Sequence, residues 1–369
     1  MSAGTGIAFS GKIKLIVSAI INLLMPIFLG FRVPIRNPKL SILVWSVIPH
    51  WSKMALKVAQ MLNSRERLPI TLSETMGPLS YHAAPPHVRA RMILDEDRDK
   101  VAELLAKGFG RRSHGFWCSF LIGLRDHATP PGRPRYGYLL ENNGIPIGVI
   151  LMISTLWKSA SGETVRCNLS SWYVDPGYRI YAPLLASQAT KFPNTTYLNI
   201  DPAKHTHGIL SAQGFRRYVN GQFCAIPSLS SGASGQTKII DAHEDPGCPF
   251  EPFERKLLLD HVKYGCISVW CVARNRAYPF VFVRRGIKRI IPCAQLVYCR
   301  SIDEFVRFAR PLGLFLMLRG LPLVMLDANG TIPGLVGKYF DNLMPKYFKG
   351  GAQPPAGDAA YSETAMFGV

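Results

Sequence analysis

Residues Ser170–Pro183 read SSWYVDPGYRIYAP and form the stretch that decides the fold. An apolar run ends at Val174 and is followed by Pro176, which cannot donate a hydrogen bond to a strand ladder. Gly177 is expected to allow a sharp turn, and Arg179 adds a fixed cation where a helix begins. Helix N-termini offer unpaired N–H groups and a partial positive charge, so this pattern predicts a phosphate-binding strand–turn–helix.

The segments around this stretch alternate between strand and helix patterns. Residues 88–227 predict the order β-α-α-β-β-β-α-β-α-β, in which Asn143-Gly144 marks a tight hairpin turn. This order is typical of an α/β layer arrangement.

A second region, residues 238–369, repeats the pattern weakly after a small and polar linker at 228–237. CAQLVYC corresponds to NLSSWYV, SIDEFVRFAR to the helix at Ala182, and LPLVMLDANG to TTYLNID. The shared order indicates a duplication, and two unrelated α/β domains remain the alternative. In the second copy Ser301 and Glu304 form a capping box that would satisfy the helix amides, so we expect one phosphate site, in the first copy.

Composition is that of a globular protein with two or three domains: 369 residues, 48% apolar and 18% charged. The net charge of +19 suits a polyphosphate cofactor, RNA, an anionic membrane or a generally basic surface. Eight cysteines include no CxxC pair and no zinc-like spacing, which indicates free thiols in a reducing cytoplasm and no metal.

The N-terminal extension, residues 1–87, contains an apolar run from Leu15 to Phe31 that follows two lysines. Three interpretations stay open: an over-extended start, a membrane-associated segment or a cleaved signal. Peripheral membrane contact is expected through residues 15–48, if anywhere.

The stretch resembles the cofactor motif of the GNAT acyltransferase superfamily, V-x-P-x-x-(R/Q)-x-x-(G/A)-x-(G/A). Val174, Pro176, Arg179 and Ala182 fit this motif, whereas Leu184 stands where a glycine or alanine is usual. The resemblance implies an α/β (α+β) fold of tandem GNAT-like domains, each with a mixed, mostly antiparallel sheet flanked by helices. It covers residues 88–227 well and 238–350 faintly.

By this resemblance the chain is an acyl-CoA acyltransferase with acetyl-CoA or another acyl-CoA as co-substrate. The backbone of residues 179–184 would hold the pyrophosphate. The implied cofactor-binding residues are Tyr173, Val174, Arg179, Ile180, Tyr181, Ala182 and Leu184.

The catalytic residues that are common in this family are missing from their usual places. Leu210 replaces the usual tyrosine acid, and the strand VRCNLSSWYV carries no carboxylate. We therefore predict substitutes that follow the fifth strand or lie near it, since acyl transfer needs a base and an acid. These candidates are Asp201, His205, His207 and Tyr218, with Ser171 as a further one. The C-terminal tail with Asp358, Tyr361 and Glu363 is expected to dock on the fold, either lining the acceptor cleft or finishing the second sheet.

The acceptor is expected to be a small molecule or a peptide, with N-acyl transfer favoured over O-acyl transfer. Two alternatives remain: an aminoacyl-tRNA-dependent transferase of similar tandem fold, which the basic charge would suit, and a non-catalytic acyl-CoA-binding protein.

Overall fold

A computed structural model describes residues 87–159, 162–231, 237–287 and 291–368. Residues 1–86 of the predicted N-terminal extension, including the segment considered for membrane contact, lie outside these ranges. Among the described residues, no helix is long and apolar enough to cross a membrane.

Twelve strands and eight helices make up the described part of the chain. The strands are β1 Val88–Met92, β2 Gly137–Asn142, β3 Ile145–Ser159, β4 Gly162–Val174, β5 Thr195–Asn199, β6 Arg216–Ala225, β7 Thr237–Asp241, β8 Ile267–Ala273, β9 Arg276–Ile287, β10 Ile291–Tyr298, β11 Leu323–Ala328 and β12 Gly337–Lys349. The helices are α1 Arg98–Gly108, α2 His114–Asp126, α3 Ala182–Ala189, α4 His207–Ala212, α5 Pro252–Lys263, α6 Ile302–Arg307, α7 Ala309–Met317 and α8 Glu363–Phe367. The element order predicted for residues 88–227 is confirmed.

All twelve strands join one sheet in the order β1-β2-β3-β4-β5-β12-β6-β11-β10-β9-β8-β7. Two neighbouring pairs are parallel, β4 with β5 and β10 with β11, and the other pairs are antiparallel. These strand directions confirm the mixed, mostly antiparallel sheet expected from the sequence. Helices cover both of its faces, as was also expected.

The strand order is symmetric about its centre. Each strand of β1–β6 has a counterpart six strands later in the chain, β1 with β7, β2 with β8, and so on. When every strand is replaced by its counterpart, the order of the sheet is the same read from the opposite edge. As a result β12 lies between β5 and β6, and β6 lies between β12 and β11. Each half of the sheet is therefore completed by a strand from the other half. This symmetry favours the duplication, while the boundaries predicted at 88–227, 228–237 and 238–369 stay predictions.

The two faces of the first half have separate cores, because successive strand residues point to opposite sides. Leu139, Val149 and Leu151 pack with α1 and α2 on one face. Leu140, Ile150 and Met152 pack on the other face, where α3 lies. We call the first of these the α1–α2 face and the second the α3 face.

The described part of the predicted linker is ordered. Pro227–Leu229 forms a 3-10 turn that packs against α7, where a Cβ added at Gly313 would lie 2.2 Å from the Ser228 nitrogen. A larger residue at position 313 would have to displace backbone, so this contact between the halves is close.

Candidate active site

A gap opens in the first half where β4 and β5 stop pairing. The parallel ladder runs from Val165–Thr195 to Asn168–Leu198. Beyond it, within the described chain, residues 169–174 of β4 pair with β3 alone. A parallel pair that parts in this way leaves unpaired backbone groups facing a slot in the sheet.

A β-bulge lies at the mouth of this gap. The pairing of β3 with β4 shifts between Leu151–Ser170 and Val149–Tyr173, which leaves two residues of β4 opposite Ile150 alone. Ser171 takes the left-handed backbone conformation, with φ of 49°. The Ser170 and Ser171 hydroxyl oxygens lie 3.1 Å apart and point the same way, as residues of a bulge do.

The carboxyl group of Glu363 lies at this bulge. Its Oε2 accepts hydrogen bonds from the Ser170 hydroxyl and, at 3.5 Å, from the Ser171 hydroxyl. Glu363 begins the tail helix α8, whose Phe367 ring stacks on Phe120 of α2 with centroids 3.6 Å apart. The tail thus brings an acid to the α1–α2 face of the gap.

The environment of Glu363 changes its acid–base behaviour. Burial raises the pKa of the Glu363 carboxyl to about 7, and hydrogen bonds from Ser170 and Ser171 oppose part of that rise. The negative charge of Asp201 adds to the rise, because two nearby carboxylates resist ionising together. A carboxyl with a pKa near neutrality is suited to general base catalysis.

Asp201, predicted from the sequence, lies near Glu363 at the end of β5. Its side chain reaches solvent, yet desolvation by the surrounding protein raises its pKa. The positive charge of Arg285 on β9 lowers the pKa of Asp201. The pKa of Arg285 is in turn raised by the charge of Glu363 and lowered by that of Arg112. Residues from both halves and from the tail therefore lie within electrostatic reach of one another beside the gap, and we call this region the cleft.

The predicted phosphate motif follows β4 directly. Pro176–Tyr181 forms a 3-10 helix that continues into α3. Within the described residues, no side chain caps α3 and no acidic residue occupies its first turn. Arg179, Ile180 and Leu184 are exposed, and Ile180 is 79% exposed although it is apolar. The stretch is therefore open to a ligand and carries no anion that would repel a phosphate.

Two details of the motif differ from the sequence-based expectations. Gly177 does not take a positive φ, and a Cβ added there would meet nothing within 4 Å, so the turn does not require glycine. Leu184 is 38% exposed, so its bulk points outward instead of filling the space around the loop. Asp175 anchors the turn, accepting from Lys107 and from the Tyr173 hydroxyl.

The side chains of the remaining predicted cofactor residues pack in the hydrophobic clusters on the two faces of the sheet. Val174 and Ala182 are buried against the α3 face. Tyr181 is half-buried and joins the same cluster, whereas the Tyr173 ring packs on the α1–α2 face. Side chains that pack in this way leave only their backbone for a ligand.

The other predicted catalytic residues differ in what the structure shows of them. His207 lies 3.3 Å from the Pro202 carbonyl oxygen and packs against Tyr347. Burial raises the pKa of Tyr218 well above its usual value, and its hydroxyl has no partner among the described residues. His205 lies in the 3-10 helix Lys204–Thr206, and its side chain is not described. Catalytic roles for these three residues stay predictions.

The corresponding gap in the second half is filled by the tail. The β10–β11 pairing ends at Gln295–Met325, and beyond it Asp358 bridges to Tyr298 while the Ala359 amide donates to the Val297 carbonyl. The Ser301 half of the predicted capping box is confirmed, because the Ser301 hydroxyl accepts from the Glu304 amide at 3.2 Å. Among the described residues the Glu304 carboxyl does not return a bond to the Ser301 amide; its Oε1 instead lies 3.8 Å from Arg300. The second half therefore has its slot and its helix start occupied by its own chain.

Three possible metal ligands lie together outside the residues predicted from the sequence. Ligand atoms of Asp99, His114 and Cys118 lie within 4.8 Å of one another on the surface between α1 and α2. The sequence spacing did not reveal this group, because Asp99 comes from a different helix. The prediction that the protein uses no metal stays a prediction.

Glu363 was expected from the sequence as part of a docking tail but was not among the predicted catalytic residues. Those candidates were taken from the bulge stretch and from around the fifth strand, and the tail lies about 160 residues beyond them. The apolar ending Met-Phe-Gly-Val indicated that the tail docks, but nothing local indicated that it places Glu363 at the β4 bulge.

No known protein-family model matches the sequence, and no curated protein sequence matches it. Among solved structures, a GCN5-related N-acetyltransferase from Anabaena variabilis is similar, with 10% identity, 71% of this chain and 72% of that chain covered, and a TM-score of 0.45. A GCN5-related N-acetyltransferase from Kribbella flavida gives 12% identity, 71% coverage of each chain and a TM-score of 0.45. A GNAT family N-acetyltransferase from Escherichia coli in complex with CoA gives 18% identity over 37% of this chain and 73% of that chain, with a TM-score of 0.27. Sequence identities of 10%, 12% and 18% with TM-scores of 0.45 or less do not establish a function, so the function has to be argued from the site.

Proposed function

We propose that this chain is an acyltransferase that moves an acyl group from acyl-CoA to an amine acceptor, with Glu363 as the general base. The observation that carries the proposal is the Glu363 carboxyl at the β4 bulge, beside the gap between β4 and β5. An acid with a pKa near 7, a slot in a sheet and an uncapped helix start lie next to one another. That combination suits a phosphate-bearing thioester and an acceptor that must lose a proton.

The cofactor would bind from the α3 face. Its pyrophosphate would lie against residues 179–184, where Arg179 supplies a cation and the first turn of α3 has no carboxylate. Its pantetheine arm would enter the gap between β4 and β5, where strand edges offer unpaired N–H and C=O groups. This placement directs the thioester toward the α1–α2 face, on which Glu363 lies.

Glu363 would then accept a proton from the acceptor amine. The amine nitrogen attacks the thioester carbonyl carbon, the bond between carbon and sulfur breaks, and CoA leaves as a thiolate. The proton moves from nitrogen to Glu363, which then releases it to solvent. A base with a pKa near 7 is well matched to this step, since about half of it is ionised at neutral pH and it holds a proton more strongly than an ordinary carboxylate.

Isothermal titration with CoA and acetyl-CoA tests cofactor binding. We expect both to bind the native chain and Arg179→Glu to weaken binding about tenfold or more, because a lost charged contact and a new repulsion act together. Arg276→Glu is the matched control, since Arg276 is exposed at the turn between β8 and β9. It should bind CoA like the native chain.

Transfer activity separates the proposal from its alternatives. The native chain should consume acetyl-CoA in the presence of a library of amines. A chain that binds CoA without any turnover would favour the non-catalytic alternative. No heat of binding with either thioester or thiol would contradict the proposal, and a chain that transfers only from aminoacyl-tRNA would replace it.

A further inference from the structure

Arg285 of the second half lies within electrostatic reach of the two acids at the proposed site of the first half. Arg285 lies near the end of β9, where it pairs with Cys293 of β10. It is half-buried, and the protein around it is dense enough that desolvation is the largest influence on its pKa. The carboxylates that raise its pKa are those of Asp201 and Glu363, so Arg285 lies near the proposed base.

The guanidinium of Arg285 is held at one nitrogen and open at the others. Its Nε donates to the Gln295 side-chain oxygen at 2.9 Å. Among the described residues, its two terminal nitrogens donate no hydrogen bond, and the group forms no ion pair within 4.0 Å. A half-buried cation loses part of its hydration, and here no protein group replaces the lost water at the two terminal nitrogens. Binding of an anionic ligand at these nitrogens is therefore favoured.

Asp201 and Glu363 do not serve as that partner. An arginine that pairs directly with a carboxylate lowers the pKa of that carboxylate, as Arg91 does for Asp97 in this chain. No ion pair within 4.0 Å joins Arg285 to Asp201 or Glu363 among the described residues; the charge of Arg285 lowers the pKa of Asp201, but desolvation outweighs it, and both acids have raised pKa values. The acids and the arginine thus lie near one another in the cleft without satisfying one another.

We propose that the acceptor is an amine that also carries a carboxylate, as an amino acid does, and that the two free terminal nitrogens of Arg285 bind this carboxylate while Glu363 faces the amine. The planar fork of the guanidinium matches a carboxylate in two parallel hydrogen bonds. Gln295 fixes the direction of the fork, because it holds Nε. This inference rests on the proposed acyl transfer and adds the acceptor class and a specificity residue.

Matched acceptor pairs test the inference: glycine with glycinamide, alanine with alaninamide, and β-alanine with β-alaninamide, each with acetyl-CoA. In every pair both members carry the amine and only one carries the carboxylate. We expect kcat/KM to favour the acid in at least one pair and Arg285→Gln to reduce the acid-to-amide ratio about tenfold to a hundredfold, as the loss of a charged hydrogen-bond pair does. The intrinsic difference between the two amines cancels when the ratios of two variants are compared.

Arg284→Gln is the matched control, because Arg284 is the exposed neighbour of Arg285 and donates to the Arg319 carbonyl instead. Its acid-to-amide ratio should equal that of the native chain. A native chain that acetylates amines but prefers the amides in all pairs would overturn the inference and leave the proposed function standing. An unchanged ratio in Arg285→Gln would do the same. Failure to consume acetyl-CoA with any amine would instead contradict the proposed function, and the inference with it.

Discussion

Glu363 combines three properties that rarely occur together at one residue of a tail. It lies at the start of a short helix, it is held by two serine hydroxyls at a bulge, and its pKa is raised to about 7. Burial is the main cause of that pKa, so the charge needed for the proposed reaction also costs folding free energy.

This cost predicts that Glu363→Gln stabilises the protein at alkaline pH. In the unfolded chain the carboxyl ionises near its ordinary pKa of 4.5, whereas in the folded chain it ionises near 7. The folded state therefore binds more protons between these values, and native stability falls as pH rises through that window. The variant should gain up to about 3 kcal/mol above pH 7 and nothing below pH 4.5, measured by urea unfolding at a series of pH values. A stability difference that is equal at pH 4 and pH 8 would contradict the raised pKa.

At the scale of elements, two helices have equivalent serine caps, which makes it possible to compare the effect of a lost cap on stability with its effect on catalysis. Ser301 caps α6 in the second half, and Ser362 caps α8, the helix that carries Glu363. The two caps use the same chemistry, since each hydroxyl accepts from the amide three residues later. Only one of the two helices positions a residue of the proposed site.

Replacing each serine by alanine should lower the free energy of unfolding by about 1 kcal/mol, because a helix amide loses its acceptor. Ser301→Ala should keep the native rate of acetyl transfer, whereas Ser362→Ala should lower kcat as the start of α8 loosens. Urea unfolding and steady-state kinetics on both variants measure this. Equal loss of kcat in both variants would show that general destabilisation, not the position of Glu363, governs the rate.

At the scale of the whole molecule, the tail links the two halves. It first fills the β10–β11 gap at Asp358 and then reaches the β4 bulge at Glu363. At the first of these points the Asp358 carboxylate also accepts from Arg166 of β4 at 2.7 Å, and both side chains are buried. The Arg166 guanidinium also lies over the Trp157 ring at 3.5 Å.

Removing one partner of this buried pair should be costly. Asp358→Ala leaves an uncompensated guanidinium inside the protein and should destabilise it by about 3–5 kcal/mol. The double variant Arg166→Met with Asp358→Leu should recover much of that loss, because no charge is then left buried. Thermal and urea unfolding of the single and double variants give the comparison. A double variant that is less stable than Asp358→Ala would show that the pair contributes more than charge compensation.

The sequence was sufficient for the local elements. The periodic patterns predicted the element order of residues 88–227, and the Ser301 cap was predicted from a serine and a glutamate three residues apart. These features depend on neighbours along the chain. Asp201 was proposed for the site because it comes at the end of the fifth strand predicted from the sequence, just beyond the observed β5, and the structure places it near Glu363.

The sequence was not sufficient for features that depend on distant pairing. No element was assigned to β12, and nothing local indicates that it lies between β5 and β6. Glu363 and Arg285 reach the cleft only because the tail crosses the sheet and β9 belongs to the other half. The sequence does not indicate that Ser170 and Ser171 lie at a bulge, because the bulge depends on the register of β3 with β4.

The most direct test of the central claim is the pH dependence of acetyl transfer in the native chain and in Glu363→Gln, with acetyl-CoA and the best amine of the library. For the native chain kcat/KM should rise with pH through an apparent pKa near 7, the value expected for Glu363, which is buried beside Asp201 and lies within electrostatic reach of Arg285. In Glu363→Gln the rate should fall about a hundredfold or more and lose this inflection, while calorimetry shows that acetyl-CoA still binds. A Glu363→Gln variant that keeps both the native rate and the native pH profile would contradict the account.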